Sequence, residues 1–467
     1  MPDVTKRGTN DYGTRSREGE VGHQSPSQGN ATIAPKVENV FTKLEWIAQK
    51  AREDSTMVFN NLAHLLSPTL LFHSLSRLNI KAAPGVDEVT AEDYLEHKHD
   101  NILGLYARLK GNCYKAPPVK RIYIEKDGGG ERPLGLPTFE DKIVQRGVVS
   151  ILEAIYEVDF NPFSYGFRKG HNQHQALGAF REGCVRKNVN WIVDMDIKGY
   201  FDTIDHKLLM EFLSRRIGDP RLLQLIGKWL KAGVLEDGNL WFSDEGSPQG
   251  GVISPILANV FLHYILDDWF EKDIRPVLDG EATIVRYADD AVVGFSNERD
   301  ARRFMKVLPK RFAKFKLVVH PEKTKLVRFV HPKAGQPKDK ANGTFDFLGF
   351  THYWGKTLSN SWTIKRKTSS KKLRSKMIAI WEWCKISRHW SLKEQHQILC
   401  AKLRGHYQYY AVRCNMRSLE KFREYVRYCW KRWLGRRHRN GHMQWEVFNN
   451  KIEKFFPLPV PKIIHSI

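Results

Sequence analysis

Residues 283–295 read TIVRYADDAVVGF. Two apolar runs flank a short polar centre, which predicts a β-hairpin with Tyr287, Ala288, Asp289 and Asp290 around its turn. Adjacent carboxylates in a tight turn repel each other, so a fold keeps them there only with a compensating charge. A divalent cation is the usual one, since Mg²⁺ is held by one or two carboxylates together with phosphate oxygens. A lone Asp-Asp pair is also a common solvated turn, and the rest of the chain must decide between the two.

Working outward, a second acidic locus lies in WIVDMDI (191–197). The run reads as a strand, and residues two apart on a strand face the same way, so Asp194 and Asp196 can point at one place. Two metal ions roughly 3.5–4 Å apart, clamped by such carboxylates, activate an attacking hydroxyl and stabilise a leaving pyrophosphate. Between 100 and 345 helical and strand patterns alternate. RIYIEK (121–126) reads as a strand, and RPLGLPT (132–138), with two prolines, as a loop. DKIVQRGVVSILEAIYE (141–157) and ILANVFLHYILDDWF (256–270) read as helices. The mixture indicates an α+β domain.

The chain has 467 residues, with 75 Lys and Arg against 52 Asp and Glu, a formal charge of +23. At 41% hydrophobic residues it is too apolar for a wholly disordered chain. No uninterrupted apolar run reaches the length of a membrane span, and the N-terminus lacks the apolar core of a secretory signal. Six cysteines without a CxxC pair read as reduced thiols rather than a disulfide frame or zinc site. These features together predict a soluble, cytosolic protein with no membrane partner. The charge is lopsided: residues 351–467 hold 26 Lys and Arg against 6 Asp and Glu, +20 of the total +23. The same stretch holds 8 of the 13 tryptophans. After 365 the apolar residues recur at helical spacing, with lysines and arginines on the other faces. Such a surface is a nucleic-acid footprint.

The motifs in order resemble the group II intron-encoded reverse transcriptases, also called maturases. The matching blocks are RIYIEKDGGGERPLGLPTFEDKIVQ (121–145), FSYGFRKGHNQHQAL (163–177), DMDIKGYFDTIDH (194–206), GSPQGGVISPILANVFLHYILDDW (246–269), RYADDAVVGF (286–295), HPEKTKLVRF (320–329) and FDFLGF (345–350). APGVDEVT (83–90) resembles the family's first block, and LRGHYQYYAVRCN (403–415) its helical thumb or maturase X region. The resemblance implies a right-hand polymerase: reverse transcriptase fingers and a ferredoxin-like palm, then an all-α thumb. The expected divisions are a disordered tail (1–36), fingers and palm (37–362), a helical thumb (363–450) and a C-terminal extension (451–467).

It also implies roles. Asp196, Asp289 and Asp290 would be the metal-binding catalytic triad, with the backbone carbonyl of Ile197 as a further ligand. The cofactor would be two Mg²⁺ ions, with Mn²⁺ as a substitute. Arg121 and Lys126 would grip the nucleotide triphosphate, although Glu125 stands where the family commonly has proline. Phe201 would lie under the sugar and exclude a 2′-hydroxyl. Gln249 would sit beside the templating base, and Lys323 would contact nucleotide or primer. Lys365, Arg366, Lys367, Lys371, Lys372, Arg404, Arg413, Arg436 and Arg437 would bind RNA. The implied partners are group II intron RNA, an RNA template with a DNA primer, dNTPs and target DNA, with a homodimer as a further state. No Cys or His cluster follows Cys429, so no metal-holding endonuclease is expected within the chain, and target cleavage would come from elsewhere. Two other readings stay open: a domesticated or defence-associated reverse transcriptase, and a splicing-only maturase without polymerase activity.

Overall fold

The computed structural model describes residues 34–125, 130–236, 238–242, 245–246, 250–333, 339–437 and 441–467. The first elements are helical: α1 (Ala34–Glu53), α2 (Pro68–Ser76), α3 (Ala91–Glu96) and α4 (Lys98–Lys110). The tail expected over 1–36 falls outside the described residues up to 33, and the backbone is already helical at Ala34. Strands β1 (Val119–Glu125) and β2 (Glu131–Leu136) follow, then α5 (Phe139–Asp159) and α6 (Gln173–Arg186). Strand β3 (Trp191–Met195) leads to α7 (His206–Ser214) and α8 (Pro220–Leu230), and then to β4 (Val234–Glu236) and β5 (Asn239–Trp241). Helix α9 (Ser254–Leu262) precedes β6 (Ala282–Tyr287), β7 (Asp290–Phe295), α10 (Glu298–Ala313) and β8 (Lys325–Arg328). Strands β9 (Phe345–Phe347), β10 (Phe350–Lys356) and β11 (Trp362–Thr368) form a small sheet. The last long helices are α11 (Ser370–Ile386), α12 (Leu392–Tyr410) and α13 (Met416–Gly435).

The central sheet is antiparallel in the order β6-β7-β3-β8. Side-chain alternation divides its contacts. Val193, Met195, Ile284, Ala291, Val293 and Phe295 face a core completed by residues of α5, α9 and α10. Ile192, Val285 and Val292 face a second core built with α6, β9–β11 and the last helices. Both faces are covered, which is why these strands read as near-continuous apolar runs. Asp194 and Asp290 share parity with Ile192 and Val292, so their carboxylates stand on the face turned toward the last helices.

Two expectations need correction. RPLGLPT is not a loop: residues 131–136 form β2, paired with β1 and carrying Pro133 opposite Tyr123. β2 is the edge of its sheet, where a residue without an N–H is tolerated. The helical pattern also does not begin at 365. Residues 362–368 are strand β11, paired with β10 along its whole length, so the expected boundary at 362 falls on a strand and the helices start at Ser370. The alternation was hidden because one inward position is filled by Arg366, 2% exposed, rather than by an apolar residue.

Candidate active site

The two acidic loci meet. Met195 pairs with Ala291 as the last partners of β3 and β7, so Asp196 and Asp290, one residue further on, stand at the same end of adjacent strands. Asp289 lies in the two-residue turn between Tyr287 and Asp290, the last pair of β6 and β7. Ala288, beside it, has φ +59°, a left-handed conformation that a side chain resists.

Burial and like charge raise the proton affinity of three of these carboxyls. Burial, with Asp194 and Asp289 adding, pushes Asp290 up to about 8, opposed by the Leu348 N–H. Burial, Asp346 and Asp196 push Asp194 up to about 7 against Lys325. Asp289 is raised chiefly by burial and then by Asp196, while the charges of Arg132 and Arg286 oppose the rise. Among the described residues no three Asp, Glu, His or Cys side chains converge tightly enough to form a ready-made metal cage. The donor set nevertheless fits a hard divalent ion: oxygen ligands that repel one another until a cation arrives. Lys323 supplies part of the missing charge, with its ammonium 2.8 Å from Asp196. It lies in the turn before β8 rather than on the strand.

The backbone beside Asp196 is fixed by the segment 318–324. His320 N–H donates to the Asp196 carbonyl (2.8 Å) and Lys198 N–H to that of Val318 (2.9 Å). These bonds pair Ile197 with Val319 without engaging the Ile197 carbonyl. Phe201 is half-buried in a short turn after Gly199 and packs edge-on against Tyr200 (5.3 Å). Asp205 caps α7 through the Leu208 N–H (2.8 Å), the local role its sequence position suggests. Arg121 lies on β1 opposite Glu236 at 3.8 Å. Lys126 and Gln249 lie outside the described residues.

The basic set divides. Lys367, Lys371, Arg404, Arg413 and Arg436 are exposed, and Lys365 is half-buried. Arg366 points inward beside His352, and burial lowers its proton affinity to about 10. Its Nε and Nη1 are buried without a hydrogen-bond partner among the described residues. Arg437 donates to the carbonyls of Arg388 and Trp390. Arg366 is committed to the interior and is corrected out of the RNA-facing set, whereas Arg437 is only half-buried and stays at the surface. Lys372 lines a cavity of about 650 Å³ that joins the two regions. The cavity is lined by Asp290, Leu348 and Gly349 and, from the last helices, by Lys376, Lys402 and Tyr409 among others.

A family model described as reverse transcriptase (RNA-dependent DNA polymerase) matches residues 124–352. Residues 124–352 thus carry a reverse transcriptase domain. The group II intron-encoded protein LtrA of Lactococcus lactis subsp. cremoris is 38% identical over 246 residues, 51% of this chain and 40% of that protein. Protein YkfC of Escherichia coli is 34% identical over 224 residues, 46% of this chain and 59% of its own. The RNA-directed DNA polymerase from the mobile element jockey of Drosophila funebris is 26% identical over 335 residues, 63% of this chain and 35% of its own. The chain thus spans about two fifths to three fifths of the length of the first two relatives. Over the matched span the chain is therefore similar to group II intron-encoded and mobile-element proteins.

Two supports of the site have no clear mark in the sequence patterns. The first is the turn Leu348-Gly349 between β9 and β10, where both residues have positive φ (+49° and +76°), as a tight hairpin demands. The Leu348 N–H bonds Asp290, and its carbonyl accepts from Tyr409 Oη of α12 (3.0 Å), so one residue ties the start of β7 to the helices. Gly349 is packed under Tyr410, whose hydroxyl would lie 2.9 Å from an added Cβ. The Leu-Gly pair of the motif FDFLGF is the one local signal for it. The second is the buried carboxylate Asp141. It accepts from Trp229 Nε1 (2.6 Å), Tyr114 Oη (2.5 Å) and Gln145 Nε2 (2.8 Å), and Gln145 in turn accepts from the Ile253 N–H (3.3 Å). This network anchors the start of α9 next to the PQGG loop, and nothing local in the sequence marks it.

Proposed function

We propose that the chain is an RNA-directed DNA polymerase that copies RNA into DNA. The observation that carries this reading is the meeting of Asp196, Asp289 and Asp290 at one end of β3, β6 and β7. The β6-β7-β3-β8 order, with helices in the crossovers, supports reading the central sheet as a ferredoxin-like palm, α11–α13 as the thumb, and the β1–β2 region as fingers.

Asp196, Asp289, Asp290 and the Ile197 carbonyl would hold two Mg²⁺ ions, with Mn²⁺ as a substitute. When bound, such ions lower the proton affinity of a primer 3′-hydroxyl and offset the charge of a departing pyrophosphate. The side chains do the rest by position. Lys323 holds a cation beside Asp196 where phosphate charge would enter. Arg132, whose field already reaches Asp289, and Arg121 would grip the triphosphate together with Lys126. The Phe201 ring would form the floor of the sugar pocket, where a 2′-hydroxyl has no room. Gln249 would lie beside the templating base. The lysines of the joining cavity would follow the primer backbone from the acidic end to the thumb. Positioning and electrostatics of this kind carry most of the rate in phosphoryl transfer.

The exposed cations of β11 and α11–α13 would bind the intron RNA as well as the template–primer duplex, and so assist splicing and retrohoming into target DNA. The likeness to a group II intron-encoded protein supports this part of the reading. The test is extension of a DNA primer on an RNA template with Mg²⁺ and dNTPs. Synthesis by the wild type that is lost in Asp289→Ala is the expected result. A wild type that binds template–primer without extending it would sink the polymerase reading and leave the splicing role.

A further inference from the structure

Behind the Asp289–Asp290 turn, on the face of the sheet away from the cavity, lies a polar network in an otherwise apolar core. Arg286 and Asp267 are both fully buried, at 0% exposure. The guanidinium meets the carboxylate through two bonds, Nε to Oδ1 (2.7 Å) and Nη2 to Oδ2 (2.5 Å). A buried ion pair commonly does nothing more than satisfy itself. Here it does not end with the pair. Nη1 of Arg286 donates to the carbonyl of Ala288 (3.0 Å), the left-handed residue of the turn, and to Asn259 Oδ1 (2.9 Å). Asn259 Nδ2 donates to the Gly166 carbonyl (2.7 Å). Gly166 lies so close against the turn that a Cβ there would stand 2.2 Å from the Ala288 nitrogen. The main chain of Arg286 closes the loop, bonding Phe163 and Tyr165 (2.9 Å each), the residues just before Gly166.

We propose that Arg286 is a positioning residue. Oriented by Asp267 and Asn259, it holds the Ala288 carbonyl, and Asn259 holds the Gly166 backbone against the same peptide, so the turn is clamped from two sides. The strained φ of Ala288 is thereby kept, and Asp289 and Asp290 are presented to the cavity in one arrangement. Asp267 sits in a π-helical stretch, His263–Asp267, continuous with α9, a local rewinding that aims its carboxylate at Arg286. Neither Arg286, Asp267 nor Asn259 touches substrate. All three act through the turn.

The proposal rests on the polymerase reading, and its test separates the two. Breaking one partner of a buried pair can unfold the chain, so the pair is replaced together by Arg286→Met with Asp267→Leu, which leaves no buried charge. Asn259→Ala is the milder companion, since it keeps the ion pair. For each, folding is read by thermal unfolding, template–primer affinity by fluorescence anisotropy, and turn mobility by amide exchange at residues 288–290. The expected outcome is a folded protein with unchanged template–primer affinity. Its kcat for dNTP addition is at least about a hundredfold lower in the double variant and about tenfold lower in Asn259→Ala, because a misplacement of about 1 Å costs that much. The KM for dNTP stays within about twofold, and exchange at the turn rises by about tenfold or more. Folded variants with wild-type kcat and exchange would overturn the proposal while leaving the polymerase reading intact. If the double variant does not fold, Asn259→Ala decides by the same readouts. A wild type without primer extension would sink the reading itself, and the exchange comparison would still report whether the network holds the turn.

Discussion

The acidic end of the central sheet and the basic surface of β11 and the helical region after it carry their charges in opposite ways. Asp194 and Asp290 sit on adjacent strands with Asp289 in the turn beside them, and burial and mutual repulsion raise their proton affinity. Lys367, Lys371, Arg404 and Arg413 are spread over a surface and exposed to solvent. The first arrangement is costly to fold and exact in direction. The second costs little and tolerates movement. Chemistry at a single phosphorus needs the first, whereas affinity for a long polyanion needs only the second. The cavity shared by Asp290 and Lys372, Lys376 and Lys402 is where the two plans meet.

The sharpest way to break the comparison is to remove one acid. Asp289→Ala is expected to lower dNTP incorporation at least about a thousandfold while thermal stability holds or rises, because a repelled carboxylate has gone. Loss of stability in step with activity would mean the acid is structural. Phe201→Ala tests direction without charge. Discrimination against ribonucleotides should fall by about tenfold to a hundredfold in competition assays, with dNTP incorporation largely kept. On the basic side, Lys367→Ala with Lys371→Ala and Arg404→Ala should weaken RNA binding. The log K against log salt slope should fall by about 0.7–0.9 for each charge that meets a phosphate. Arg366→Leu serves as the contrast. It should leave that slope unchanged and leave stability equal or higher, since a buried cation with unpaired nitrogens is replaced by an apolar group. A changed slope in Arg366→Leu would return this residue to the RNA-facing set.

A separate test concerns Asp141, a buried acid outside the acidic cluster. Burial pushes its carboxyl up to about 6, against the hydrogen bonds from Tyr114, Trp229 and Gln145. A carboxyl raised in the fold favours its protonated form there. Its unfavourable contribution is therefore absent below about pH 4, grows through about pH 6, and is full above that. Asp141→Asn carries no such term, so it should gain on the wild type by about 3 kcal/mol between pH 4 and pH 7 in denaturant titrations. A constant gap across that range would show that the network holds Asp141 ionised at no cost.

Much of the site is legible in the sequence alone. The TIVRYADDAVVGF hairpin and the α5 helix appear where their periodicities put them. Asp194 lies on, and Asp196 just after, a strand whose register brings Asp196 to Asp290. These are local patterns, and period and turn chemistry report local patterns well. Periodicity misleads at β2, where an edge position excuses Pro133, and at β11, where an arginine occupies an inward site. It is also silent on the supports: Leu348 beneath Asp290, Asp141 beneath the start of α9, and Asp267 and Asn259 behind Arg286.

The sequence by itself determined which charges this chain has, how unevenly they lie along it, and which acids fall at the ends of strands. Only the tertiary structure decided which of those charges face solvent, which face one another, and what packs against the Asp289–Asp290 turn. The physical reason is that charge and periodicity belong to neighbouring residues. Burial and orientation are set by contacts far apart in the chain, as between Asp267 and Arg286 or Leu348 and Tyr409.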